Sequence, residues 1–462
     1  MAIVGAIMVP HPPLIVPEVG RGEEAIIEET TRAYEEAANT VRDLAPETIV
    51  LSTPHSVMYS DYFHISPGKS ARGDLRQFRA GHVMIEALYD TELVKEICRI
   101  ADEKHFPAGV MGEKDARLDH GTMVPLTFIN KVYPRYRLVR IGLSGLTLPD
   151  HYRIGQMIAQ AAKNTSRRVV YVASGDLSHK LQEDGPYGFD PAGPVYDEKI
   201  MDVCGRAAFD ELFDFSEELC DKASECGHRS FVMMAGALDV CAVQTKKLSH
   251  QDVTGVGYGI CTYVVTGPDP SRNFLTKWES RRREELDERK AREDAYVKLA
   301  RHSIETYIRT GSRATLPENV AKEMLTEQAG VFVSLKKEGR LRGCIGTIGP
   351  TQDSVAEEIL ENAVSAAVYD SRFRPVTEEE LDKLEYSVDV LGKAQVIESE
   401  KELDVKRYGV IVTKGRKRGL LLPNLDGVDD IFTQVAIAKQ KAGIDINDND
   451  VTLERIEVIR HY

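Results

Sequence analysis

Ile3–Pro17 reads IVGAIMVPHPPLIVP, and this stretch decides how the first half of the chain folds. A run of small and β-branched residues halts at His11, which has a proline on either side. Short runs rich in Val and Ile, apolar throughout, are the pattern of strands buried on both faces. The same pattern returns at TIVLST (48–53), RLVRIGLS (137–144) and RVVYVAS (168–174). Between these runs lie helical stretches, GEEAIIEETTRAYEEAANTVRDL (22–44) and LPDHYRIGQMIAQAAKN (148–164). Strand–helix alternation predicts an α/β first domain with a mainly parallel central sheet.

Histidines stand where these runs stop. His11 ends the first, His55 ends the second (IVLSTPHS), and His179 follows the fourth (VVYVASGDLSHKL). Ligand sites of α/β sheets gather outside the carboxyl ends of the strands, so three imidazoles there converge on one crevice. Pro10, Pro12 and Pro54 fix backbone torsions beside His11 and His55, which pre-aims the rings. A third metal ligand is offered by DKASECGHRSFVMMAGALDV (221–240), where Glu225 and Cys226 sit at the amino end of a buried helix. Two histidines and a carboxylate form the facial set of non-haem Fe(II) oxygenases; a thiolate favours copper or zinc. His120, in RLDHGTMVPLTF (117–128), either joins the site or serves with Asp119 only to cap a helix.

The 462 residues call for more than one core. The turn-rich VVTGPDPSRN (264–273) and the charged KWESRRREELDERKARED (277–294) place a first domain at 1–270, a charged helical linker at 271–292 and a second domain at 293–462. Of twelve histidines only His302 and His461 follow residue 270, so imidazole chemistry belongs to the first domain. A net charge of −14 argues against nucleic acid and against an anionic membrane surface as partners. No stretch has the length and apolarity of a membrane span, and no signal-peptide pattern opens the chain, so a cytoplasmic location is expected. The seven cysteines are scattered through apolar stretches and read as reduced core thiols.

The motifs VPHPP, STPHS, LDHGTMVPL and SGDLSHKL, in this order, resemble the LigB-type class III extradiol dioxygenases and their Memo-like relatives. The resemblance implies His11, His55 and Glu225 as Fe(II) ligands, His179 as the acid/base and His120 lining the substrate site. It implies a small catechol-like substrate opened with O₂. Memo-like proteins carry a Cys where the dioxygenases carry the acid, and here Glu225 and Cys226 stand side by side. With Cys226 as ligand, the alternative is a Zn²⁺- or Cu-binding protein with a hydrolase, redox or scaffold role.

The second half resembles the AMMECR family through LRGCIGTIGP (341–350), AVYDSRFRPV (367–376), YSVDVLG (386–392) and GLLLP (419–423). This resemblance implies an α+β fold with an antiparallel sheet. VFVSLKKEGRLRGCIGT (331–347) reads as two strands around an EGR turn, with Arg342 and Cys344 on one strand face. Arg372 and Arg374 add positive charge nearby, so Cys344 is either a nucleophile or a buried strand thiol. The pairing of the two families, known with a third as the AmmeMemoRadiSam grouping, implies a radical-SAM protein as partner. The chain has no CxxxCxxC motif of its own.

Overall fold

The computed structural model describes residues 2–114, 117–425 and 427–462. The chain forms two units, residues 1–279 and 280–462.

In the first unit the apolar runs are strands β1 (Ile3–Val9), β2 (Thr48–Thr53), β3 (Arg137–Gly142) and β4 (Val169–Ser174). They alternate with helices α1 (Glu28–Leu44), α2 (Thr91–Glu103), α3 (His120–Val132) and α4 (Leu148–Asn164). Further on come α5 (Ala192–Arg206) and α6 (His228–Ala237). Two antiparallel strands, β5 (Cys241–Gln251) and β6 (Tyr258–Pro268), complete a six-stranded sheet. The order is β3-β2-β4-β1-β6-β5, and the pairs β3–β2, β2–β4 and β4–β1 are parallel.

Alternate residues along the strands serve two cores. Met8, Val50 and Tyr171 pack with α2, α4 and α6 on one face, whereas Ile7, Leu51 and Val172 pack with α1 and α3 on the other. Burial on both faces is why these strands read as continuous apolar runs. β4 lies between β1 and β2, so the carboxyl ends of all three open side by side. Their exit loops carry His11, His55 and His179.

Helix α7 (Phe274–Arg292) is less solvated than its charged sequence implies. Phe274 and Leu275 are buried, and Trp278 packs on Phe213 at 5.2 Å between ring centroids. In the second unit, α8 (Ala295–Thr310) and α9 (Val355–Val364) cover an antiparallel sheet. Its strands are β7 (Val331–Lys337), β8 (Arg340–Gly346), β9 (Leu384–Leu391), β10 (Tyr408–Lys414), β11 (Lys417–Leu421) and β12 (Thr452–His461). The order is β8-β7-β9-β12-β10-β11, with Gln395–Ile397 also paired to β12. A last helix, α10 (Ile431–Lys441), packs on β10 and β11. This is the α+β arrangement expected of the second half.

Every described cysteine is a free thiol. Among the described residues, no helix is long and apolar enough to cross a membrane.

Candidate metal centre

Each residue of the site is fixed by backbone before its side chain is considered. Pro12 is extended (φ −63°, ψ 125°), and the Pro10 carbonyl accepts the Tyr34 hydroxyl at 2.6 Å. The backbone N–H of His11 donates to Asp176 Oδ1 at 2.7 Å, which ties the loop after β1 to the loop after β4. The loop before α6 is pressed against the same place. A Cβ on Gly175 would stand 2.1 Å from the Gly227 Cα, so both positions need glycine for this close approach. That contact lets Cys226 N–H donate to Asp176 O at 3.4 Å, while Asp176 N–H donates to Cys226 Sγ at 3.3 Å.

Three atoms able to ligate a metal meet as a result. His55 Nε2 lies 2.9 Å from His11 Nε2, and Cys226 Sγ lies 3.7 Å from the same nitrogen. All three fall within 4.8 Å of one another. Around a tetrahedral ion two imidazole nitrogens stand about 3.3 Å apart, and a nitrogen and a thiolate sulfur about 3.6 Å. The observed spacings suit a cation among them.

The hydrogen bonds also set the His11 tautomer. Ser174 Oγ is 2.6 Å from the Gly121 carbonyl, which can only accept, so the hydroxyl proton goes there. The hydroxyl lone pair, 3.0 Å from His11 Nδ1, must then accept the Nδ1–H. His11 Nε2 is left with a free lone pair aimed at His55 and Cys226, the arrangement a metal-binding histidine needs.

Asp176, His179 and Cys226 form a second group of donors within 4.8 Å. The His179 backbone N–H donates to Ala223 O at 2.9 Å, but its buried Nδ1 has no hydrogen-bond partner. Asp119 caps α3, its Oδ1 accepting Thr122 N–H (3.0 Å) and Thr53 Oγ1–H (2.7 Å). His120, the first residue of that helix, turns its ring to 4.0 Å from His55 and 5.4 Å from His11, centroid to centroid. The cap and the site are thus both served by the Asp119–His120 pair.

Electrostatics favour an added cation. Burial, with His55 beside it, holds His11 well below the usual imidazole range. Burial lowers His55 as well, and burial plus the two neighbouring imidazoles push His120 down to about 3. Burial raises Asp176, and burial with Asp176 and Glu225 nearby raises the Cys226 thiol strongly. A bound cation reverses the last two penalties, because it stabilises thiolate and carboxylate.

Of the two candidates for a third ligand, Glu225 and Cys226, the structure brings Cys226 to the imidazoles. Glu225 belongs to neither group of converging donors, and its Oε2 accepts the His228 N–H at 2.6 Å at the start of α6. Burial raises its carboxyl to about 7. The helix starts at His228, so neither Glu225 nor Cys226 is helical; the glycine contact aims the thiol inward. Asp176 and Ser174 were not singled out from the sequence. The SGD that ends β4 is the visible trace of both.

In the second unit Arg342 and Cys344 both lie on β8, but the register with β7 shifts at Arg342, so strict two-residue alternation does not hold there. Arg342 is bound to Glu380 (2.9 and 3.0 Å), and Cys344 Sγ accepts Ser334 Oγ–H at 3.2 Å.

A family model described as the catalytic LigB subunit of aromatic ring-opening dioxygenase matches residues 5–261, and the AMMECR1 model matches residues 297–461. A protein of Clostridium acetobutylicum is 42% identical over 470 residues, covering 100% of this chain and 99% of its own. A Thermotoga maritima protein is 48% identical over 170 residues, 37% of this chain and 98% of its own. The solved structure of a Pyrococcus horikoshii protein covers 36% of this chain and 88% of its own length, at 34% identity and a TM-score of 0.34.

Proposed function

Because the chain belongs to the LigB family over residues 5–261 and carries an AMMECR1 domain over residues 297–461, we propose that its first unit is a mononuclear metal-dependent oxidoreductase. His11 Nε2, His55 Nε2 and Cys226 Sγ hold the metal. The observation that carries this reading is the Ser174–His11 hydrogen bond, which leaves a lone pair facing a second imidazole and a thiol. A thiolate in place of a carboxylate moves the preference from Fe(II) toward copper, with zinc as the redox-silent competitor.

When bound, the metal supplies an electron-transfer site for a small catechol-like diol and O₂. His179 takes the proton of a substrate hydroxyl, a role supported by its unpartnered Nδ1 and its place beside Asp176 and Cys226. His120, kept uncharged by its surroundings, lines the substrate side. A radical-SAM protein as partner belongs to the same proposal and rests on the fusion of the two families.

The test starts from metal-stripped full-length protein offered Fe(II), Cu(I) and Zn(II) without oxygen, followed by O₂ uptake over a catechol panel. The expected result is a single equivalent of metal, Cu(I) displacing Fe(II), and oxygen consumption only in loaded protein. Absence of oxygen consumption with every metal and substrate overturns the oxidoreductase reading.

A further inference from the structure

The loop that leaves β4 carries His179, whose buried Nδ1 has no hydrogen-bond partner. The aim of that ring therefore depends on the backbone beneath it. Residues 177–180 belong to no helix or strand, so their amides are held by groups outside regular structure. Leu177 N–H donates to Gly257 O (2.9 Å), His179 N–H to Ala223 O (2.9 Å) and Lys180 N–H to Ser178 Oγ (3.0 Å). Ser178 N–H alone among these four goes to an ionisable side chain, Asp197 Oδ1 at 2.8 Å.

Asp197 projects from α5 and is 2% exposed. Its Oδ2 lies 2.8 Å from Nε2 of His250, a half-buried residue of β5. A carboxylate can only accept, so Nε2 carries the proton of that bond. Gly257 lies so close that a Cβ there would stand 2.0 Å from Oδ2, and its lack of one lets the carboxylate reach the loop. Burial raises the Asp197 carboxyl, the bonds from His250 and Ser178 oppose this, and Asp252 adds to it. A buried carboxylate is a costly acceptor, and backbone carbonyls serve the amides of Leu177 and His179. A cavity of about 510 Å³ opens beside the pair, lined by Asp197, His250, Met201, Lys247 and Asp252. It gives the carboxylate room to turn outward and hydrate, and the bond to His250 holds it inward.

We propose that Asp197 and His250 form a positioning pair, which holds the β4 exit loop through the Ser178 amide and so keeps His179 aimed at the metal centre. This rests on His179 as the proton-transfer residue of the proposed function. Neither Asp197 nor His250 belongs to the converging donors of the centre, so the pair acts on the loop and not on metal binding. Without the imidazole, the carboxylate hydrates in the cavity, Ser178 N–H loses its acceptor, and the His179 backbone gains freedom. An asparagine at position 197 keeps both bonds. Its oxygen accepts the Ser178 N–H, and its amide donates to the other tautomer of His250.

The test compares full-length wild type, His250→Ala and Asp197→Asn by two readings that need no turnover. One is amide hydrogen exchange in peptides covering residues 176–181. The other is carbethoxylation of His179 by diethyl pyrocarbonate, measured against the exposed His82. His250→Ala is expected to speed both about tenfold, with exchange elsewhere in the first unit and metal content unchanged. In oxygen uptake its kcat is expected to fall about tenfold with KM within about twofold of wild type. Asp197→Asn is expected to stay within about twofold of wild type in every reading. If His250→Ala fails to fold, His250→Phe, which keeps bulk without a donor, takes its place. A loop as protected as in wild type, or acceleration spread through the whole first unit, overturns the inference. So does an unchanged kcat with the loop freed, or Asp197→Asn as fast as His250→Ala. A wild type that consumes no oxygen counts against the proposed function instead, and the two loop readings still decide whether the pair holds His179.

Discussion

Cys226 and Cys344 are the same side chain in two opposite settings. Cys226 sits at a loop junction among His11, His55, His179 and Asp176, where lone pairs and a carboxylate converge with no fixed positive charge in either donor group. Cys344 sits on a sheet edge with Arg342, Arg372 and Lys441 around it. The first environment lacks a cation, whereas in the second the arginines are already paired with Asp370 and Glu380. What a thiol does in a protein is therefore set by the sign of what its neighbours leave unsatisfied.

The largest expected effect breaks the first half of that contrast. His11→Ala or His55→Ala is expected to abolish metal retention, measured by elemental analysis after gel filtration, while circular dichroism stays unchanged. Full metal content in both variants would remove the basis for the site. His179→Ala separates holding from turnover. It is expected to keep the metal and lose at least about a hundredfold in oxygen consumption, the usual scale for a proton-transfer residue. Loss of metal instead makes His179 a ligand.

Ser174→Ala sharpens the tautomer argument. Without the hydroxyl, His11 Nδ1 loses its acceptor, and metal affinity is expected to fall about 10- to 100-fold in a competitive chelator titration. Unchanged affinity shows that the Ser174 hydrogen bond does not select the ligand nitrogen.

The smallest effect concerns Glu225. Its carboxyl is raised in the folded protein to about 7, above its unfolded value of about 4.3. The folded state then binds the proton more tightly, so stability is greatest below the unfolded value. It declines as pH rises through that window and levels off above it. Denaturant titrations of metal-free protein should show a loss of up to about 2–3 kcal/mol between these pH values. The slope is expected to shrink in Glu225→Gln, with metal binding intact. An identical slope in the variant assigns the pH dependence to another group.

The strands and the histidines at their ends were legible because each rests on local pattern: continuous apolar runs, and prolines that fix the exits. The antiparallel pair β5–β6 was not. Many β5 positions are exposed or half-buried, so the strand carries no clean apolar run. Ser174 and Asp176 escaped notice for a different reason. Their roles exist only once β4 pairs with β1 and brings Ser174 beside His11, a contact across 163 residues. The choice between Glu225 and Cys226 turned on where α6 begins, and helix ends are the least certain feature of a sequence reading. Two adjacent side chains outside a helix are aimed by tertiary contact, here Gly175 against Gly227.

X-ray absorption spectroscopy of the metal-loaded protein bears most directly on the identity of the third ligand. The wild-type chain and Glu225→Gln should both show scattering from one sulfur at about 2.3 Å beside imidazole nitrogens, and Cys226→Ala should lose it. A wild-type spectrum with only nitrogen and oxygen neighbours, or one unchanged in Cys226→Ala, contradicts a centre built from His11, His55 and Cys226.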